Sequence, residues 1–230
     1  MFGAEPSGAE QEGLSLASDL RNLQLDQTFQ ASFKIRRGKV RTEIPVTCLT
    51  VTDSNHWDNI FEVKGEGAAP AEKLVIRHFL QGTNQYFHAR AASPGKPLPE
   101  LQEIPGTGLG ASFAGSDFSF ADLGLEFLHW PNQRQLKGEM RLGRPCYVLE
   151  STSGSPGNRR VKSWIDKETA ALLIVESYDS QNKIEKEFSL SGTSVKKVNG
   201  KWRVEEMKIQ SPQTDSQTIL KFIFPEEPAK

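Results

Sequence analysis

Residues 115–131 read GSDFSFADLGLEFLHWP. This is the densest run of aromatic and aliphatic side chains in the chain, and it opens with a helix start signal. Ser119 and Asp122 have the spacing of a capping box, in which the hydroxyl accepts from the backbone N–H at Asp122 and the carboxylate reaches back. Phe118 and Leu123 hold the two positions of a hydrophobic staple. Phe120, Leu123, Phe127 and Trp130 then recur at intervals of three and four, which makes one apolar face. Pro131 stops the helix, because the residue before a proline is pushed out of the helical region. Upstream, Pro105-Gly-Thr-Gly-Leu-Gly110 and Gly115 predict a flexible approach. A short apolar helix on such a tether is either the fixed plug of an ordinary core or a movable cover over an apolar cavity. That choice decides both the architecture and the function.

Around this stretch the dominant period is two. Phe29, Ala31, Phe33 and Ile35 alternate with Gln30, Ser32, Lys34 and Arg36, the pattern of a half-buried strand. Gly38 turns the chain into a partner over Ile44 to Val51. Further hairpins pair Lys73–Leu80 with Gln85–Ala91, and Val161–Asp166 with Leu172–Tyr178, which turns again into Ile184–Leu190. Asn199-Gly200, suited to a type I′ turn, joins Ser194–Val198 to Trp202–Met207. Thr218–Phe224 is the last strand. Tight turns without crossover helices predict an antiparallel meander. Ala170–Val175 and Ile219–Phe224 are apolar on both faces, so part of the sheet is expected to be covered twice. The covers available are the opening stretch and an N-terminal amphipathic helix from Leu14 to Leu25, with Leu16, Leu20 and Leu23 at helical spacing. Residues 1–12, rich in Gly, Ala and Glu, predict a disordered N-terminal segment, followed by a single domain over 13–226.

The 230 residues suit one large β domain, and the 37% apolar content, before the 19 glycines are added, supports a core. A net charge of −1, from 28 basic and 29 acidic side chains, argues against a nucleic-acid partner. The basic run at Arg36, Arg37, Lys39 and Arg41 reads as a solvated hairpin tip. No stretch approaches the ~20 apolar residues of a membrane-spanning helix. The first eight residues show neither the basic nor the apolar region of a signal peptide, which fits a cytoplasmic protein or a mature secreted one. Cys48 and Cys146 lie in strand-like segments and are expected as buried thiols, with a disulfide as the alternative in an oxidising compartment. His78 and His88 face each other if Gly82-Thr-Asn84 is a three-residue loop, yet a metal site needs more donors than two. No metalloprotease spacing, P-loop or serine-hydrolase elbow is present, so neither an enzyme nor a cofactor is expected.

The chain resembles the outer membrane lipoprotein-sorting proteins similar to the carrier LolA. The resemblance is carried by Gly115-Ser-Asp-Phe-Ser-Phe-Ala-Asp-Leu123, Gly143-Arg-Pro-Cys-Tyr-Val-Leu-Glu150, Ser163-Trp-Ile-Asp-Lys-Glu-Thr169, Val198-Asn-Gly-Lys-Trp202 and Met207. It implies an open, strongly curved antiparallel half-barrel, mainly β, whose concave mouth is covered by short helices. It further implies a periplasmic carrier or chaperone that holds lipoprotein acyl chains or another lipid in an apolar cavity, for transfer toward the outer membrane. Such a protein works as a monomer with an inner-membrane transporter or an outer-membrane acceptor as partner. The alternative is a non-catalytic envelope module that uses the half-barrel to recognise a protein. On the carrier reading, Phe118, Phe120, Leu123, Phe127 and Trp130 are the lid contacts. Phe29, Phe33 and Ile35 are the concave wall on periodicity alone.

Overall fold

The alternating residues form one long antiparallel sheet in the structure, a computed structural model. It describes residues 7–23, 29–65, 67, 69–154, 159–190, 195–198 and 201–223, with 195–198 and 201–203 given by backbone alone. The first half of the chain supplies β1 (Phe29–Arg37), β2 (Val40–Thr52), β3 (His56–Val63), β4 (Glu72–Phe79), β5 (Gln85–Arg90) and β6 (Gln102–Glu103). The second half supplies β7 (Asn132–Arg141), β8 (Arg144–Thr152), β9 (Arg160–Asp166), β10 (Leu172–Tyr178) and β11 (Ile184–Ser189). A separate hairpin, β12 (Val195–Val198) with β13 (Lys201–Val204), precedes β14 (Glu206–Ser211) and β15 (Ser216–Ile223). Among the described residues the main sheet has 13 strands in the order β6-β5-β4-β3-β2-β1-β15-β14-β11-β10-β9-β8-β7. The two meanders are therefore joined where the last strand pairs with the first, β15 against β1.

Residues opposite one another on neighbouring strands share a face. Phe33 lies between Ile44 and Leu220, Phe61 between Cys48 and Leu74, and Phe188 between Val175 and Ile209. These side chains line the inner face of an open, curved half-barrel. Over it lie helix α1 (Gly8–Arg21), the segment 104–118, helix α2 (Phe120–Leu123) and a 3-10 turn at Glu126–His129. One core cluster packs Phe113, Phe118 and Phe120 onto Phe33, Ile44, Val46, Leu74, Ile76 and Leu220. A second packs Ala17 and Leu20 of α1 with Phe127 and Leu128 onto Leu149, Val161, Ile165 and Val175. A third, Cys146, Val148, Trp164, Leu173 and Leu190 with Val204 against it, gives the doubly apolar part of the second meander its other buried side.

Several local features differ from the sequence expectation. Helix α1 starts at Gly8, because Ser7 and Glu10 form a capping box, so residues 8–12 are helical where a disordered end was expected. Gly13 lets α1 touch the sheet, since a Cβ there would sit 2.6 Å from the backbone nitrogen of Arg134. The single strand expected over Trp202–Met207 is split between β13 and β14, which belong to different sheets. The Asn199-Gly200 turn lies outside the described residues. His78 and His88 do not face each other: the register sets Arg77 against Gln85 and Leu74 against His88, because the connection from Phe79 to Gln85 is longer than three residues. Cys48 and Cys146 are both buried and free, in different core clusters, and burial pushes the Cys48 thiol up to about 12.

Candidate functional site

The opening stretch is not one helix. The Ser119–Asp122 capping box is present, with the Asp122 amide donating to Ser119 Oγ at 3.2 Å and the Asp122 carboxylate accepting from the Ser119 amide at 2.8 Å. Yet α2 has only 4 residues. Leu125 turns into the left-handed region at φ 49°, and the chain resumes as the 3-10 turn. The reason lies across the fold, in Tyr86 of β5. Its hydroxyl and ring occupy the space where a Cβ of residue 124 would stand, so the chain passes over it with a glycine. Asn84 Nδ2 donates to the Gly124 carbonyl at 2.9 Å, and Tyr86 donates to Glu126 at 2.7 Å.

The glycine-rich approach is likewise not loose. Phe113 and Ser116 are fully buried. Arg37 donates to the Gly115 carbonyl at 2.8 Å, and the hydroxyls of Ser216 and Thr218 both donate to Asp117 at 2.6 Å. Phe113 sits edge-on to Phe33 and Phe61. Residues 111–118 are therefore a plug. Past Phe120, whose amide donates to the Ala111 carbonyl at 3.0 Å, the polar ties to the rest of the fold are a backbone bond from Ala121 to Leu109, the Lys186–Asp122 ion pair at 2.7 Å and the Tyr86 and Asn84 bonds, with half-buried Leu123 and Leu125 packed against the first and second core clusters. The chain is fixed again where Gln133 donates to the Phe127 and Trp130 carbonyls. The cover thus has pinned ends and a lightly held middle, residues 121–126.

Under that middle lies a cavity of about 830 Å³. This is the size range of ligand pockets, roughly 300–1,000 Å³. Its walls combine the cover (Leu123, Leu125, Phe127), the end of α1 (Leu20, Leu23) and the inner face of both meanders (Phe29, Phe61, Val175, Phe188, Met207, Phe222). Of the residues named from sequence, Phe29, Phe118, Leu123, Phe127 and Trp130 line it. Phe33 and Ile35 lie on the inner face of β1 and Phe120 on α2 above it; all three belong to the first core cluster, where Phe120 packs on the His88 ring with centroids 4.7 Å apart. The periodicity missed the walls from β10, β11, β14 and β15. On β15 the face opposite Leu220 and Phe222 carries Ile219 and Ile223 beside Gln217 and Lys221, so the alternation is too weak to mark the inner set.

Polar groups gather at one end of the cavity. Thr50 donates to Asn59 Oδ1 at 3.1 Å, and Asn59 Nδ2 donates to His78 Nε2 at 3.0 Å, which makes His78 a neutral ring with its proton on Nδ1. Burial pulls His78 down to about 4, with its ring stacked on Trp57. His129 is also pulled down to about 4, by burial and then by the positive charges of Arg21 and His78. Glu126 is held above the ordinary carboxylate range by burial. The two histidines take up protons in the unfolded chain first, so their contribution to stability is complete above about 6.5 and is lost as pH falls toward about 4. Glu126 acts in the opposite sense, its protonation favouring the folded state as pH falls through its raised pKa. Urea unfolding is expected to show a loss of roughly 2 kcal/mol from His78 alone between about pH 7.5 and about pH 5. His78→Gln removes the His78 share of that slope and leaves the His129 share, and an unchanged slope in the variant contradicts the assignment.

Residues 97–225 match a family model whose description is simply "uncharacterized protein"-like. A search of curated proteins returns no significant match. Among solved structures, a DUF1329 family protein from Desulfovibrio piger superposes with a TM-score of 0.75 at 20% identity, covering 94% of this chain and 92% of the other. A domain assigned to the outer membrane lipoprotein-sorting proteins, from Vibrio parahaemolyticus, gives 0.73 at 18% identity over 93% and 91%. A LolA superfamily protein from Nitrosomonas europaea gives 0.56 at 12% identity over 96% of each chain. At these identities the likeness is one of fold.

Proposed function

We propose that this chain, which belongs to that family of uncharacterized proteins and has the LolA-like fold, is a non-catalytic carrier that shelters acyl chains in its cavity. The lipid or lipoprotein so held would move through the periplasm toward the outer membrane. The observation that carries the reading is the apolar cavity of about 830 Å³ between the half-barrel and a cover that is pinned at both ends and lightly held between them. Each methylene moved from water into such a cavity is worth ~0.8 kcal/mol, so a single long chain supplies ample binding without any polar contact. Release needs a wall that gives way at modest cost. Residues 121–126 supply it: their polar ties are one ion pair and a few hydrogen bonds that water can replace, and Leu123 and Leu125 are only half-buried, so a bound chain can take over their apolar contacts.

The family resemblance of the sequence and the superposed lipoprotein-sorting fold support the same reading. A periplasmic location follows from it as part of the proposal, as do donor and acceptor proteins at the two membranes. Among the described residues no helix is long and apolar enough to cross a membrane.

The test is native mass spectrometry of the protein purified from a bacterial lysate that retains its membranes, followed by organic extraction. Wild type is expected to carry acyl lipid. Leu123→Asp, a half-buried wall position on the cover, is expected to lose at least tenfold of it while keeping its fold. A clean apo mass for wild type, with no uptake of added lipid, contradicts the carrier reading and favours recognition of a protein partner. Phe120→Asp is unsuited to the purpose, since Phe120 lies in the core.

A further inference from the structure

We propose that the tip of the β7–β8 hairpin docks this protein onto a membrane surface that carries anionic phospholipid. The docking goes beyond the carrier reading and does not depend on what the cavity holds. Of the large apolar side chains that the described residues expose, three stand on this one tip: Met140 at 61% exposure, Leu142 at 49% and Tyr147 at 38%. Pro145, also exposed, lies opposite Met140 and shares a face of β8 with Tyr147. Leu142 and Gly143 join Arg141 to Arg144 with φ 49° and 74°, the pair of positive angles of a type I′ turn. Asn, Asp or Gly takes the first of these positions at little cost, whereas a leucine is strained there and holds its side chain out in water. None of the three core clusters includes Met140, Leu142 or Tyr147, so packing gives no reason for them.

Basic groups surround the apolar tip. Arg141 and Arg144 stand directly opposite each other across the turn, a like-charged pair that costs stability in a hairpin. Lys167 lies over the Tyr147 ring at 4.8 Å, and exposed Lys137 precedes Met140 on β7. The nearby carboxylates are set back: Asp166 is buried beneath Arg144, and Glu139 is bonded to the Trp164 indole and to Lys162. Glu168, at the next turn, is the exposed acid that remains. An apolar tip ringed by cations fits the boundary of a bilayer, where Met140, Leu142 and Pro145 enter the acyl region and Tyr147 stays at the level of the head groups. The arginines there meet phosphates, which a guanidinium grips with two hydrogen bonds at once. The β1–β2 tip is also basic, but it exposes only Val40 as a large apolar side chain, and Arg36 and Arg37 are engaged with Asp215 and the Gly115 carbonyl. The β7–β8 tip also adjoins the cavity. The Lys167 amide donates to the Pro145 carbonyl at 3.0 Å, and Ala170 and Ala171, just after it, line the cavity wall.

The experiment is co-sedimentation of the full chain with vesicles of phosphatidylcholine alone and of phosphatidylcholine mixed with phosphatidylglycerol, which reads docking apart from lipid uptake. Wild type is expected to partition onto the mixed vesicles at least tenfold more than onto the zwitterionic ones, and less as salt is raised. Leu142→Asn, which suits the turn and keeps the fold, is expected to lower that partition about tenfold, and Met140→Ser about fivefold. Val40→Ser on the other hairpin and Leu123→Asp in the cavity are expected to dock as wild type does. Docking that survives in a protein found to take up no lipid supports the proposal and contradicts the carrier reading alone. Equal partition onto both kinds of vesicle overturns the anionic surface, and indifference to both Leu142→Asn and Met140→Ser overturns the tip as the contact. Binding to neither vesicle overturns the proposal and leaves the carrier reading standing. A dimer in gel filtration that Leu142→Asn dissolves overturns it too, by making the tip an interface between copies of this chain.

Discussion

Replacing Phe113 by alanine is expected to lower the stability of the domain by about 3–5 kcal/mol, the range for removing a fully buried aromatic ring. Phe113 is completely enclosed, with its ring against Phe33 and Phe61. Its segment is held by Arg37 from one hairpin and by Ser216 and Thr218 from the last strand. Chemical unfolding measures the loss directly. A decrease below about 1 kcal/mol, with no cooperative change elsewhere, means that residues 111–118 are not the plug described here. The glycines before α2 make the opposite outcome a fair expectation from sequence, so the variant separates tether from plug.

The second large effect concerns Gly124. A Cβ there would lie 2.7 and 2.8 Å from two carbons of the Tyr86 ring. That ring is buried and held by Asn84 and Glu126, so it has little room to withdraw. In Gly124→Ala the cover has to rise instead, losing the Asn84 and Tyr86 hydrogen bonds together. The expected cost is roughly 1–3 kcal/mol, as for overpacking of a tight contact, and bound lipid is expected to dissociate at least tenfold faster. Tyr86→Leu in the same chain relieves the clash and restores part of the difference, which a double-mutant cycle reads out. Unchanged stability and unchanged lipid release mean that the cover does not rest on Tyr86.

The features legible from the sequence were those set by near neighbours. The Ser119–Asp122 box and the alternation of Phe29, Ala31, Phe33 and Ile35 need nothing beyond a few residues of chain. The hairpins from Val161 to Ser189 were legible for the same reason. The break at Leu125 was not, because its cause is Tyr86, which bonds Glu126 from 40 positions away. The plug was misread for a similar reason: glycines and small polar residues look loose until Arg37, Ser216 and Thr218 are brought around them. The wall from β14 escaped because Met207 reads as the end of the strand before it, although Met207 and Ile209 alternate with Glu206, Lys208 and Gln210, and the wall from β15 because Ile219 and Ile223 stand on the face opposite Leu220 and Phe222. His78 and His88 were set opposite each other by a loop length that the register does not keep. Half of the cavity was thus visible in the cover itself, and the remainder only in the pairing of the last strand with the first.

The central claim is that residues 121–126 are a cover which lipid moves and residues 111–118 a plug which it does not. Amide hydrogen exchange resolved along the chain, with and without dodecyl phosphate, tests it most directly. The account predicts fast exchange at 121–126 in the free protein, clear protection there on binding, and slow exchange at 111–118 throughout. Exchange at 121–126 as slow as at 111–118, unaltered by the amphiphile, contradicts it and makes the whole opening stretch a fixed part of the core.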